Sequence, residues 1–237
     1  MTYECVSRTD VGLKRKVNED AVLVRTDRGL WAVADGMGGH EAGEVASAKV
    51  TEALLHLPIV YHLDELVEVS IDALRQVNRE LITLAHSDHR PRTIGSTVVG
   101  LAIRGEEFRC FWAGDSRAYR LRGDSIKQLS RDHSLVQELV AAGMLDPAEA
   151  EGHPDSNVIT RAVGVSENLR IDTVSGDVAS GDIFVLGSDG LTRLVEDDEL
   201  FDELTSNPPD VAANNLLDTV LARGAPDNVS FVIVRIN

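Results

Sequence analysis

The sequence predicts an α+β fold in which two antiparallel sheets lie between layers of helices, and three observations support this. Short strand-like runs follow one another with turn residues between them. Helical stretches come in pairs instead of once after each strand, which disfavours a doubly wound parallel sheet. The glycine-rich loops GxGxxG and GxxxxGKS/T, which accompany nucleotide-binding parallel sheets, do not occur in the sequence.

The first third of the chain predicts three strands followed by two helices. Residues 31–34 (WAVA) are continuously apolar, which is typical of a strand buried on both faces. Residues 35–39 (DGMGG) are too rich in glycine to form a regular element. Apolar residues at spacings of three and four then indicate amphipathic helices, with Pro58 ending the first. The predicted strands are 3–9, 21–25 and 30–34, and the predicted helices are 44–57 and 64–86.

The remainder of the chain is rich in short strands. Gly123 and Asp124 favour a hairpin turn between two of them. Residues 144–157 are polar, contain two prolines and show no strong period, so we interpret them as an exposed flap. The predicted strands are 97–103, 108–113, 117–121, 125–129, one near 158, 170–174, 182–187 and 229–236, and the predicted helices are 134–142, 196–205 and 210–222.

Composition and charge disfavour several classes of function. The chain has 237 residues and a mass of 25.7 kDa, which suits a single domain with a sizeable core. Its 23 basic and 39 acidic residues give a net charge of −16, which disfavours nucleic acid or an anionic membrane as a partner. Only two cysteines occur, no apolar run approaches ~20 residues, and no signal pattern is present, so we expect a cytoplasmic protein.

Five aspartates share one local context, because each lies where a predicted strand meets a loop: Asp20, Asp35, Asp115, Asp189 and Asp227. If those strands lie side by side, their ends bring the carboxylates to one rim of a sandwich. Clustered carboxylates repel one another unless a cation compensates, and an all-oxygen ligand set suits Mg²⁺ or Mn²⁺. Two such ions ~3.5–4 Å apart would form a hydrolytic centre that activates water and stabilises charge on a phosphoryl group.

Each of these observations also has a plainer interpretation. Asp-Gly is a common turn dipeptide, so Asp35-Gly36 or Asp189-Gly190 taken alone is more often a turn than a metal site. The net charge of −16 is equally consistent with simple solubility. The hypothesis of a metal centre therefore depends on the five aspartates together, and their convergence in space is an assumption at this stage.

Eight short motifs occur in a fixed order along essentially the whole chain. They are residues 12–20 (GLKRKVNED), 34–40 (ADGMGGH), 95–97 (GST), 113–118 (AGDSRA), 132–134 (DHS), 157–162 (NVITRA), 187–191 (GSDGL) and 227–229 (DNV). In order and spacing this series resembles the bacterial branch of the metal-dependent serine/threonine protein phosphatases, type 2C (PPM). Single motifs are weak signals, whereas eight in order are highly specific.

The resemblance implies a four-layer αββα sandwich forming a single catalytic domain, residues 1–237, with a flap at about 134–157. Arg15 would bind the substrate phosphate, for which a guanidinium is well suited. A metal-bridging water would attack phosphorus directly, without a phosphoenzyme. Two Mn²⁺ or Mg²⁺ ions would be held by Asp20, Asp35, the Gly36 carbonyl, Asp189 and Asp227, with Asp35 bridging them. A third ion would be held by Asp115 together with Asp189.

A few positions depart from the family pattern or leave a role open. His40 is a candidate proton donor, but eukaryotic relatives carry their histidine at the position of Met37, so a water-network or packing role stays open. Many relatives have an arginine where this chain has Ser156 and an acidic residue where it has Arg193, and either change could alter substrate preference. His133 is expected to make a structural hydrogen bond.

The predicted function is hydrolysis of phosphoserine and phosphothreonine on proteins, in signal transduction, by a monomer that opposes a serine/threonine kinase. The main alternative is a pseudophosphatase, a binding module without metals, which is disfavoured because no matched carboxylate is missing. A serine hydrolase with Ser116 in a G-x-S-x-G-like elbow is disfavoured because a strand is predicted after it. A two-metal hydrolase acting on another phosphoester stays open.

Overall fold

The computed structural model describes residues 2–38, 42–87, 93–150 and 152–237. A short 3₁₀ turn, Thr26–Arg28, joins the second and third strands. The strands and helices follow in the order β1 (Tyr3–Asp10), β2 (Asp20–Arg25), β3 (Leu30–Met37), α1 (Ala42–Leu55), α2 (Leu63–Ser87), β4 (Gly95–Ser96), β5 (Val98–Arg104), β6 (Glu107–Ala113), β7 (Arg117–Arg122), β8 (Ser125–Gln128), α3 (Leu135–Ala141), α4 (Pro147–Ala150), β9 (Asp172–Asp177), β10 (Ile183–Gly187), α5 (Asp189–Thr192), α6 (Asp197–Ser206), α7 (Pro209–Ala222) and β11 (Val229–Ile236).

The strands pair antiparallel in two sheets. One sheet has the order β1-β11-β10-β7-β8, and the other has the order β2-β3-β5-β6-β9, with the short β4 paired to β3. Buried apolar side chains form one cluster between the sheets, one beneath α1 and α2, and one beneath α5, α6 and α7. The predicted α+β class and the four-layer αββα sandwich are therefore confirmed.

Strand β3 shows how the sequence specifies these layers. Trp31 and Val33 belong to the cluster between the sheets, whereas Leu30, Ala32 and Ala34 belong to the cluster beneath α1 and α2. Because successive side chains of a strand alternate between faces, a strand in an inner layer needs apolar residues at every position. All five residues are buried, which confirms the predicted burial on both faces.

The glycine-rich segment after this strand is more regular than its composition suggests. Strand β3 continues through Asp35 and Gly36 to Met37, so the prediction of an irregular segment is wrong for these three residues. The reason is that Gly36 and Met37 pair with the two residues of β4. Gly39, the last residue of the segment, lies outside the described residues.

The strand predicted near Val158 is not formed. Ile159 makes only an isolated bridge to Ser134. Ser134 is the N-cap of α3, so the pairing partner turns into a helix at once and no ladder can extend. Elsewhere the predicted elements are present with shifted ends, as in β9, and the flap contains the short helix α4. Among the residues that the structure describes, none of the helices combines the length and apolar composition of a bilayer span.

Candidate metal centre

The five aspartates predicted as metal ligands lie at one rim of the sandwich. Asp20 begins β2 and is the cross-strand partner of Asp35 in β3. Asp115 follows β6, Asp189 begins α5 directly after β10, and Asp227 lies just before β11. Because β2, β3 and β6 belong to one sheet and β10 and β11 to the other, this acidic rim is built from both sheets.

A hydrogen-bonded serine links the two sheets at the rim. Ser188 lies between β10 and α5, and its hydroxyl donates to Asp20 Oδ2 at 2.9 Å. The same hydroxyl accepts the backbone N–H of Ser230 in β11 at 3.0 Å. The position of the Asp20 carboxylate is therefore tied to the opposite sheet.

Asn228 anchors the loop that carries Arg15. Its Oδ1 accepts the backbone N–H of Glu19 at 2.8 Å. Its Nδ2 donates to the backbone carbonyls of Val11 and Val17 at 2.9 Å and 3.0 Å. One amide thus joins both ends of the loop to the start of β11, next to Asp227.

Backbone contacts on both sides hold Asp35 and Gly36. The Asp35 N–H donates to Thr97 Oγ1 at 3.0 Å, and the Thr97 N–H donates to the Asp35 carbonyl at 2.8 Å. The Gly36 N–H donates to the Glu19 carbonyl at 3.0 Å. A Cβ at position 36 would lie 2.0 Å from the carbonyl oxygen of Gly43, so only glycine lets the first turn of α1 approach the rim.

Burial and the charges of neighbouring carboxylates raise the pKa of three of the five rim aspartates. Burial, assisted by the charges of Asp189 and Asp227, raises the pKa of Asp20 to about 7. Burial and then the charge of Asp189 raise the pKa of Asp115 to about 7. Burial also raises the pKa of Asp35 well above its usual range, with Asp20, Asp189 and Asp115 as the neighbouring charges. Such a cluster stays fully ionised at neutral pH only beside a compensating cation.

Three carboxylate oxygens of the rim are buried and have no hydrogen-bond partner among the described residues: Asp20 Oδ1, Asp115 Oδ1 and Asp189 Oδ1. Buried polar atoms of this kind need a partner, and a hard divalent cation fits an all-oxygen donor set. No three Asp, Glu, His or Cys side chains in the described ranges are already arranged to enclose an ion. Since Mg²⁺ is usually held by one or two carboxylates together with waters, the rim fits such ions without a closed cage of side chains.

Two arginines lie among these carboxylates. Arg15 Nη2 donates to Asp227 Oδ2 at 2.7 Å, and about half of its side chain is exposed. Arg193 Nη2 lies 3.2 Å from Asp115 Oδ2 and 3.0 Å from Asp189 Oδ2. Sequence reasoning singled out Arg193 as a departure from the family but did not predict these contacts. His40, the candidate proton donor, lies outside the described residues.

His133 holds the turn that carries Asp115. Its backbone N–H donates to the Gly114 carbonyl at 2.9 Å, and its Nδ1 accepts the Gly114 N–H at 3.1 Å. Burial lowers the pKa of His133, so the ring is neutral and its Nε2–H faces Asp172 Oδ2 at 3.2 Å. The predicted structural hydrogen bond of His133 is confirmed.

Comparisons with known proteins identify the family of the chain. A family model described as protein phosphatase 2C matches residues 14–222. The chain belongs to the protein phosphatase 2C family. Protein phosphatase PhpP of Streptococcus pneumoniae is 35% identical over an alignment of 235 residues, which covers 97% of this chain and 96% of PhpP.

Solved structures of similar proteins share the fold over nearly their whole length. PppA, a key regulatory component of T6SS in Pseudomonas aeruginosa, is 43% identical with a TM-score of 0.90 and covers 99% of this chain and 98% of its own. The catalytic domain of the serine/threonine protein phosphatase PstP, solved in complex with 2 manganese ions, is 31% identical with a TM-score of 0.88 and covers 99% of both chains.

Membership of the 2C family also bears on the alternative functions. The pseudophosphatase alternative is not supported, because the relatives are phosphatases and all five carboxylates lie at the rim. The serine hydrolase alternative is wrong, because strand β7 begins directly after Ser116 and the buried Ser116 hydroxyl is hydrogen-bonded to Thr97 Oγ1 at 2.7 Å. The chain is therefore an enzyme, a protein phosphatase.

Proposed function

We propose that this protein phosphatase hydrolyses phosphoserine and phosphothreonine on proteins, with two Mn²⁺ or Mg²⁺ ions at the acidic rim. The observation that supports this most is the set of three buried, unpartnered carboxylate oxygens. When bound, the ions would lower the pKa of water and offset negative charge on the phosphoryl group. The residues that would hold the two ions are Asp20, Asp35, the Gly36 carbonyl, Asp189 and Asp227. Asp115 belongs with Asp189 to the pair at which the family resemblance implies a third ion.

Arg15 would bind the phosphate of the substrate. Its side chain lies at the rim and is about half exposed. Among the described residues, its guanidinium donates one side-chain hydrogen bond, from Nη2 to Asp227. The remaining planar donors match two phosphate oxygens. His40 stays a prediction as the proton donor to the leaving alkoxide.

A cleft of about 510 Å³ opens beside the rim and suits the polypeptide that flanks a phosphorylated residue. It contacts Asp115, Asp189 and Arg193 on one side. The described flap residues that line it are Ser134, Val136, Gln137, Pro147, Ala150, Ser156 and Asn157. We therefore include in the proposal a single catalytic domain whose flap, at about 134–157, forms one wall of the substrate cleft.

The proposed partners follow from the proposed reaction. A phosphoprotein phosphatase acts on what a protein kinase has produced, so a serine/threonine kinase must supply the substrate. We propose that the chain opposes such a kinase as a cytoplasmic monomer.

Phosphate release from peptides tests the proposed function. Metal-stripped protein should release no phosphate from a phosphothreonine peptide, and Mn²⁺ should restore release. Asp189→Asn should lower kcat/KM by roughly 10²–10³-fold, because an ion that would offset the charge on the phosphoryl group loses one of its ligands. Asp124→Asn, which removes an exposed carboxylate in the β7–β8 turn, is the matched control and should behave as wild type. Release without added metal, or an unaffected Asp189→Asn variant, would overturn the proposal.

A further inference from the structure

The guanidinium of Arg193 forms ion pairs with two carboxylates of the acidic rim. Its Nη2 lies 3.2 Å from Asp115 Oδ2 and 3.0 Å from Asp189 Oδ2. Within the described part of the chain, neither carboxylate forms an ion pair with any other residue. Arg193 Nη1 also donates to Asn157 Oδ1, at the end of the flap. The side chain is therefore held at three points, although more than a third of it is exposed.

Two other arginines near the rim, among the residues that the structure describes, pair with different carboxylates. Arg15 pairs with Asp227 at 2.7 Å. Arg117 forms two-pronged contacts with Asp132, with its Nη2 2.8 Å from Oδ2. Arg193 thus offsets part of the charge of Asp115, whose pKa is raised by burial and by Asp189 and lowered by Arg193.

We propose that Arg193 is a positioning residue that takes the place of a third divalent cation, because its ion pairs with Asp115 and Asp189 keep this pair from recruiting an ion of its own. The inference rests on the proposed function, which assigns the other carboxylates of the rim to two ions. It concerns only Asp115 and Asp189, the pair at which the family resemblance implies a third ion.

Geometry and charge support the replacement. A third ion held by the unpartnered Oδ1 atoms of Asp115 and Asp189 would lie close to the guanidinium that pairs with their Oδ2 atoms. At separations near 4 Å, repulsion between the guanidinium and a divalent ion should weaken binding of that ion by roughly a hundredfold or more. Unlike a metal, the guanidinium is part of the chain, so this charge does not depend on the free metal concentration.

Substitutions at position 193 separate a charge effect from a merely structural one. Arg193→Lys keeps a positive charge, Arg193→Met keeps an extended side chain without charge, and Arg193→Asp adds a carboxylate to the pair. The number of bound ions is measured by equilibrium dialysis against Mn²⁺ followed by metal analysis, and folding is verified by circular dichroism. Mn²⁺ alone is the probe, so the readout does not depend on activity.

We expect wild type and Arg193→Lys to bind two Mn²⁺ ions and Arg193→Asp to bind a third. In Arg193→Met, any third ion should bind more weakly than in Arg193→Asp. Adding Asp115→Asn to Arg193→Asp should remove the third ion again, which places it at the proposed pair.

The outcomes distinguish this inference from the proposed function. Three ions in wild type, or no additional ion in folded Arg193→Asp and Arg193→Met, would overturn the role of Arg193 and leave the two-ion centre intact. No bound Mn²⁺ in folded wild type would instead overturn the proposed function.

Discussion

Asp35→Asn is expected to abolish phosphate release and, at the same time, to make the metal-free protein more stable. Burial, followed by the charges of Asp20, Asp189 and Asp115, raises the pKa of Asp35 well above its usual range. The neutral amide has nearly the same shape and removes this repulsion from the metal-free fold. In the metal-bound enzyme the same substitution removes the proposed bridging ligand, so kcat/KM should fall by roughly 10³-fold or more.

The two effects are measured separately. Phosphate release is measured with a phosphothreonine peptide at saturating Mn²⁺, and thermal unfolding is measured in the presence of a chelator. Asp124→Asn, with the same chemical change at an exposed turn, should match wild type in both. A lower midpoint of unfolding for metal-free Asp35→Asn would show that this carboxylate stabilises the fold, and retained activity would show that it is not a ligand.

Mn²⁺ is expected to stabilise the protein and to reverse the dependence of its stability on pH. Asp20 and Asp115 have a pKa of about 7 in the fold, against 3.8 for an ordinary aspartate. Between about pH 4 and about pH 7 the metal-free folded state therefore binds more protons than the unfolded state, and its stability falls as pH rises. Metal binding requires the ionised carboxylates, so the stabilisation by Mn²⁺ grows over the same range.

The size of the metal effect follows from mass action. At a free Mn²⁺ concentration of about 100 times Kd, each site adds about 2.7 kcal/mol, and two sites should raise the midpoint of unfolding by roughly 10 °C. Thermal unfolding at about pH 5.5 and about pH 7.5, with chelator or with Mn²⁺, measures both trends.

The Asp20→Asn variant distinguishes the contribution of the carboxylates to the pH dependence of stability from that of other titrating groups. Buried His133 acts in the opposite direction, because its pKa is lowered and acid must charge it. Asp20→Asn should therefore flatten the rise in metal-free stability that acid produces in wild type. Metal-free protein that loses stability on acidification to about pH 5.5, or that gains none from Mn²⁺ at about pH 7.5, would contradict the electrostatic description of the rim.

The layers of the fold could be predicted from sequence because burial leaves a local pattern. The apolar run at 31–34 identified an inner strand, and the paired amphipathic stretches 44–57 and 64–86 identified an outer layer. The failures came where long-range pairing overrides local composition. Residues 35–37 are extended because β4 pairs with the end of β3. No strand forms near Val158 because Ser134, the residue that bridges to Ile159, is the N-cap of α3.

The acidic rim was predicted in part. The five aspartates share a position at strand ends, which is visible in the sequence, and the structure brings them to one rim. The groups that orient them were not predicted, because their contacts join distant parts of the chain. Ser188 reaches Asp20 across 168 positions, and Asn228 reaches Glu19 across 209. For Arg193 the only sequence signal was its difference from the family pattern, and only the fold shows that it contacts Asp115.

The most direct test of the central claim, that the acidic rim is a two-ion centre, is electron paramagnetic resonance of the folded protein loaded with two equivalents of Mn²⁺. Ions bridged by one carboxylate and lying ~3.5–4 Å apart should give the spectrum of an exchange-coupled pair. The same spectrum should be absent from Asp35→Asn at equal loading. Two uncoupled ions in wild type, or a coupled spectrum that survives in Asp35→Asn, would contradict the proposed bridge, and fewer than two bound ions would contradict the centre itself.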